Sequence, residues 1–165
     1  MKDLTIVADA VVIGAGATAV MDVWALVLRR GFGAASLDLA LLGRWIGHLT
    51  RGQLRHESIA SAAPICHEGI VGWSTHYAIG VTFAEVLLAI WGVEWLHAPT
   101  LGPPLIVSSI TLAAPFLVMQ PAMGAGIASS RTPRPNGARL RSVVTHTVYG
   151  VGLYVVAWTW AVLAG

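Results

Sequence analysis

The sequence predicts an all-α membrane protein: four transmembrane helices forming two parallel-related hairpins, with an amphipathic interfacial helix after the first span. Three observations predict it. Of 165 residues, 56% are hydrophobic and only 11% charged, where a soluble domain carries about 25% charge. Mean hydropathy is +0.71, and the apolar residues gather into four runs, each near the roughly 20 residues a membrane helix needs. Short motifs recur between the first two runs and the last two.

The spans are expected at 5–28, 69–92, 103–123 and 140–163, in one domain covering 1–165. The runs are continuous, whereas barrel strands alternate over segments of about 10 residues. The first run does not read as a cleaved signal. Lys2 is its only leading cation, Asp9 and Asp22 lie inside it, and Arg29 and Arg30 follow it, so a retained anchor is expected. Within 39–49, Leu41, Leu42, Trp45, Ile46 and Leu49 fall near one side and Arg44 and His48 on another. That pattern predicts a helix lying on the inner leaflet. The third span carries Pro115 and Pro121. Pro121 has no N–H for the carbonyl of Leu117, which predicts a break or kink beside Gln120. Residues 129–137 have turn chemistry, and the arginines around them are read as topology signals that touch anionic headgroups, with phosphate ligation as the alternative.

Nine of the ten Lys and Arg residues lie in two loops: Arg29, Arg30, Arg44, Arg51 and Arg55 in the first, and Arg131, Arg134, Arg139 and Arg141 in the second. The positive-inside rule then places both loops in the cytoplasm and both termini outside. Trp91, Trp95, Trp158 and Trp160 fall at the expected outer ends of spans two and four, as an interfacial belt would. A lone cysteine, Cys66, excludes an internal disulfide, a redox pair and a c-type haem attachment. The net charge of +2 resides in these loops and is not a nucleic-acid signal. No nucleophile elbow, zinc-protease motif or phosphate-cradling glycine loop occurs, so an enzyme is not expected.

The recurring motifs are Thr75-His76-x-x-x-Gly80-Val81 and Thr145-His146-x-x-x-Gly150-Val151, preceded by Val20-Met21-Asp22 and Val118-Met119-Gln120. Spans one and three run inward and spans two and four outward, which makes the repeat parallel, about an axis along the membrane normal. At a rise of about 1.5 Å per residue, Asp22, His76, Gln120 and His146 all lie in the inner half, one from each span. Ionisable groups there cost about 2.5–3.5 kcal/mol and normally face the bundle interior with partners. These four are the expected ligand-binding layer. Gly80 and Gly150, one turn beyond each histidine, either leave room for a ligand or let helices pack closely. Glu85 is nine residues from His76 and points the other way. With Asp9 it marks either a second polar site or a partner interface. His48, His56-Glu57 and His67-Glu68 read as ordinary inner-boundary residues rather than metal ligands.

The chain carries Gly16-Ala17-Thr18-Ala19-Val20-Met21-Asp22-Val23-Trp24, Leu42-Gly43-Arg44-Trp45-Ile46-Gly47-His48, Gly72-Trp73-x-x-His76-Tyr77-x-Ile79-Gly80 and Pro115-Phe116-x-Val118-Met119-Gln120-Pro121-Ala122-Met123-Gly124. On these it resembles a bacterial inner-membrane family of multi-pass proteins defined as a domain of unknown function. The resemblance implies a small multi-pass protein of the bacterial inner membrane and brings no established activity or functional residues with it.

Three functions fit the residues. One is proton or small-solute handling at the polar layer; four helices are few for a transporter, so a homo-oligomer is expected. The second is a non-catalytic accessory subunit of a larger membrane complex. The third is a b-type haem, or a transition metal, held by His76 and His146.

Overall fold

A computed structural model describes residues 2–33 and 38–164 of the chain. All regular structure among these residues is helical: α1 (Lys2–Phe32), α2 (Leu39–Leu49), α3 (Glu68–Trp91), α4 (Gly102–Thr111), a π-helical segment (Ala114–Met119), α5 (Gln120–Ala122) and α6 (Pro135–Ala164), with short 3-10 turns between them. Four stretches are long and apolar enough to cross a membrane: Ile6–Phe32, Glu68–Trp91, Gly102–Ala122 and Pro135–Leu163. They overlap the four expected runs.

The helix ends have local causes. α1 continues through Arg29 and Arg30, past the expected end at 28, because cations in a last turn complement the helix dipole. Gly33, at φ 63°, then stops it. α2 begins where the Asp38 carboxylate accepts from the Ala40 N–H at 2.9 Å. Gly92, at φ 77°, closes α3. The third span is not one regular helix. Pro115 and Pro121 each remove a ladder donor, and between them the backbone widens into a π turn in which the Gln120 N–H reaches the Pro115 carbonyl.

Two compact units divide the residues. The first gathers Met1–Ser36, Tyr77–Thr111 and Val144–Gly165. Its core is Ala10, Ile13 and Ala17 of α1, Ala84, Leu87 and Leu88 of α3, Val107 of α4, and Tyr149, Leu153 and Ala157 of α6. Alanines and glycines between the larger core side chains let the helices approach closely, as bilayer helices associate by close packing rather than by expelling water. Gly80 and Gly150 show this directly. A Cβ on Gly80 would strike the Thr18 hydroxyl, and one on Gly150 would lie 2.5 Å from the Ser108 hydroxyl and 3.1 Å from the Pro104 carbonyl.

The second unit gathers Leu37–His76 and Leu112–Val143. α2 lies against the start of α3, with Gly43 over the Glu68 carbonyl and Gly72 over the Leu39 carbonyl. The expected boundaries of α2 hold, and its polar residues Arg44 and His48 are met by protein. His48 is buried at 7% exposure, and the Arg44 guanidinium is bonded to Glu68 and to nearby carbonyls. Both turn toward protein because the 59–68 segment offers acceptors that an aqueous face would not hold in place.

Candidate functional site

In the first unit the helix contacts set heights. Gly14 of α1 faces Val81 of α3, and Gly152 of α6 faces Ala17 and Val20 of α1. The Tyr149 hydroxyl donates to the Gly80 carbonyl at 2.6 Å, which brings α6 level with α3 there. Asp22 lies four residues beyond Thr18 on α1, Tyr77 three before Gly80 on α3 and His146 four before Gly150 on α6, about one helical turn in each case. The Tyr77 hydroxyl donates to the Asp22 carboxylate. Tyr77 is the partner that sequence reasoning missed. A carboxylate in an apolar helix directs attention to ionisable partners, and the neighbouring His76 was the more conspicuous residue.

Two hydroxyls complete the interior. Thr18 is fully buried and donates back to the Gly14 carbonyl at 2.8 Å. Ser108 is 1% exposed and donates to the Leu105 carbonyl at 3.1 Å. Each therefore satisfies its own donor within its helix, while its oxygen fills the place of the absent glycine side chain. Asp9 accepts from the Trp160 indole N–H at 3.1 Å. Glu85 is exposed on α3.

His76 and Gln120 belong to the second unit. The His76 ring meets Trp73 edge-on, with centroids 6.1 Å apart. Gln120 ties loop to helix: its Oε1 accepts from the buried Ser129 hydroxyl at 3.0 Å and its Nε2 reaches the Ser142 hydroxyl at 3.4 Å. Of the four residues expected in one layer, Asp22 and His146 fall in the first unit and His76 and Gln120 in the second.

The second unit holds two further polar constructions. Arg44 grips Glu68 in a bidentate pair, Nε to Oε2 at 2.9 Å and Nη2 to Oε1 at 2.8 Å. Its Nη1 donates to the carbonyls of Ile59, Ala60 and Ala62. The Glu68 hydrogen bonds hold the guanidinium's pKa above its ordinary value. One turn along α2, the His48 ring joins the Ala63 carbonyl through Nε2 at 2.9 Å and His56 Nε2 through Nδ1 at 2.7 Å. A carbonyl can only accept, so His48 Nε2 carries a proton. With both rings neutral, His48 Nδ1 accepts from His56 Nε2–H, and His56 Nδ1 is an acceptor. One added proton turns His56 Nδ1 into a donor. Among the described residues, no three His, Cys, Asp or Glu side chains gather as a metal set.

Comparison with curated proteins and with solved structures finds no match to this chain. Residues 11–160 match the model of the family described as "Protein of unknown function (DUF2938)", and the chain belongs to that family.

Proposed function

We propose that this chain is a non-enzymatic protein of the bacterial inner membrane whose first unit handles protons or a small solute at the level of Asp22, Tyr77 and His146. The Asp22–Tyr77 hydrogen bond carries the reading. A carboxylate within an apolar membrane-length helix costs about 2.5–3.5 kcal/mol on insertion scales, so such groups mark sites by default. A phenol supplies a donor that orients the carboxylate, and His146 on α6 supplies an imidazole, which can take up or release a proton. In this reading the basic loops are cytoplasmic, the termini are periplasmic, and α2 rests at the inner leaflet.

The duplicated hairpin belongs to the same proposal, with a changed register. Gly80 sits on Thr18 and Gly150 on Ser108, so Thr18 answers Ser108, an offset of 90 residues. Asp22 then answers Leu112 rather than Gln120. The second copy keeps the glycine–hydroxyl contact and lacks the carboxylate, which makes the site one-sided.

Asp22→Asn and Tyr77→Phe test the proposal in a deletion strain and in proteoliposomes carrying a pH gradient. Loss of complementation, or of gradient dissipation, in Asp22→Asn is the expected result. Full function in both variants ends it. A second reading, an accessory subunit in a larger complex or homo-oligomer, is favoured by Glu85, whose exposed carboxylate would be covered by a partner chain. Stable co-purification that Glu85→Leu abolishes would select it. A haem or metal held by His76 and His146 has a direct readout: a Soret band, or stoichiometric metal, that disappears in the His76→Ala and His146→Ala variants.

A further inference from the structure

We infer that the second unit holds an anion site for a phosphate group, in the cavity between the segment around His56 and the loop that follows α5. The cavity measures about 510 Å³, within the range of about 300–1,000 Å³ typical of small-molecule sites. Arg55, His56, Glu57, Ser130 and Arg131 supply its polar lining, and Pro121, Gly126 and Ile127 the rest.

The backbone builds this cavity from two distant stretches. The His56 N–H donates to the Ala122 carbonyl at 2.8 Å and the Ile59 N–H to the Met123 carbonyl at 3.1 Å. Gly124, at φ 96°, has the Glu57 carbonyl where a Cβ would stand, so the two chains touch without a side chain between them. The loop then closes on itself through the Arg131 N–H and the Ala125 carbonyl at 2.8 Å. Arg55 and Arg131, far apart in sequence, are thereby brought to one cavity.

Its chemistry favours an anion. Neither the Arg55 nor the Arg131 side chain is engaged in a hydrogen bond or ion pair with another described residue, whereas Arg44 and Arg139 are. Glu57 offsets one of the two positive charges, which leaves the lining cationic, with the Ser130 hydroxyl as a further donor. His56 Nδ1 is buried and has no hydrogen-bond partner. Two guanidinium forks and a hydroxyl are a donor set that recognises phosphate oxygens. The phosphate comes either from a headgroup of the adjacent leaflet or from a soluble phosphate, and Ile127, 62% exposed beside the cavity, would contact the acyl region of a lipid.

The test uses the full chain in phosphatidylcholine nanodiscs, with inorganic phosphate as one probe and added phosphatidic acid as the other. Thermal shift and native mass spectrometry read binding. Arg55→Gln and Arg131→Gln are each expected to weaken the bound probe about tenfold or more, the scale of one charge-assisted hydrogen bond. Arg134→Gln, which removes a charge from the same loop outside the cavity lining, is expected to leave it unchanged. Binding of inorganic phosphate identifies a soluble ligand; binding of phosphatidic acid alone identifies a headgroup. Should the glutamine variants not fold, Arg55→Lys and Arg131→Lys decide, with several-fold weaker binding expected from loss of the planar fork. Neither probe binding, or Arg134→Gln weakening binding as much as Arg131→Gln, or unchanged affinity in the lysine variants, overturns the site.

Discussion

The hydroxyl of Tyr149 donates to the backbone carbonyl of Gly80 across 2.6 Å, so α6 and α3 are joined at the glycine that also receives Thr18. Phe83 meets the same tyrosine ring edge-on, with centroids 6.3 Å apart. Tyr149→Phe keeps the ring and deletes only the donor. Because the Gly80 carbonyl stays within the α3 ladder, the expected loss is about 1 kcal/mol. Thermal unfolding in detergent measures it, and an unchanged melting temperature would show that the bond adds nothing.

The glycines of the second unit separate rigid contacts from soft ones. A Cβ on Gly72 meets the Leu39 carbonyl, which is backbone, whereas one on Gly47 meets the end of the Ile65 side chain. Gly72→Ala is therefore expected to destabilise by about 3 kcal/mol, the upper end of overpacking costs. Gly47→Ala lets Ile65 rotate and gains about 0.8–1.0 kcal/mol of helix propensity, so its net effect is expected near zero. Equal effects of the two substitutions would mean that α2 is not held against α3 by backbone contact.

Arg44→Met is expected to lower the melting temperature and loosen 59–68, seen as faster amide exchange there. Arg44→Lys recovers only part, because one ammonium cannot match a bidentate fork and serve the carbonyls of Ile59, Ala60 and Ala62 as well. The pH dependence has a definite sign. A guanidinium whose pKa is raised by folding contributes fully below the unfolded value and loses that contribution only as pH rises through the folded value. The clamp is thus insensitive to mild alkali and weakens in acid, when Glu68 takes a proton. Alkaline loss near pH 9 would contradict it.

Gln120→Ala removes the acceptor of the buried Ser129 hydroxyl and is expected to cost about 1–2 kcal/mol. Ser129→Ala in the same chain removes the stranded group, so the double variant should cost less than the sum of the singles. Strict additivity in chemical or thermal unfolding would show that the bond does not couple the two.

Much of the architecture could be read from residue order. The apolar runs are long and the charges are confined between them, so the four candidate spans and α2 lie where composition and periodicity put them. The π turn between Pro115 and Pro121 follows from two missing donors. Arg44 and His48 were harder, because amphipathicity marks a polar face without saying whether water or protein meets it. The Val20-Met21-Asp22 and Val118-Met119-Gln120 match rests on short apolar triplets, which recur easily, whereas glycine–hydroxyl contacts require one particular height.

By itself, the order of residues determined that this chain forms long apolar helices and carries a carboxylate and histidines within them, because burial in hydrocarbon and backbone hydrogen bonding act on each segment separately. Only the tertiary structure decided that Asp22 takes Tyr77, that Gln120 takes Ser129 and Ser142, and that Arg55 and Arg131 share a cavity. Those pairings depend on relative height and rotation, which close contacts at residues such as Gly80 and Gly124 impose and no local pattern encodes.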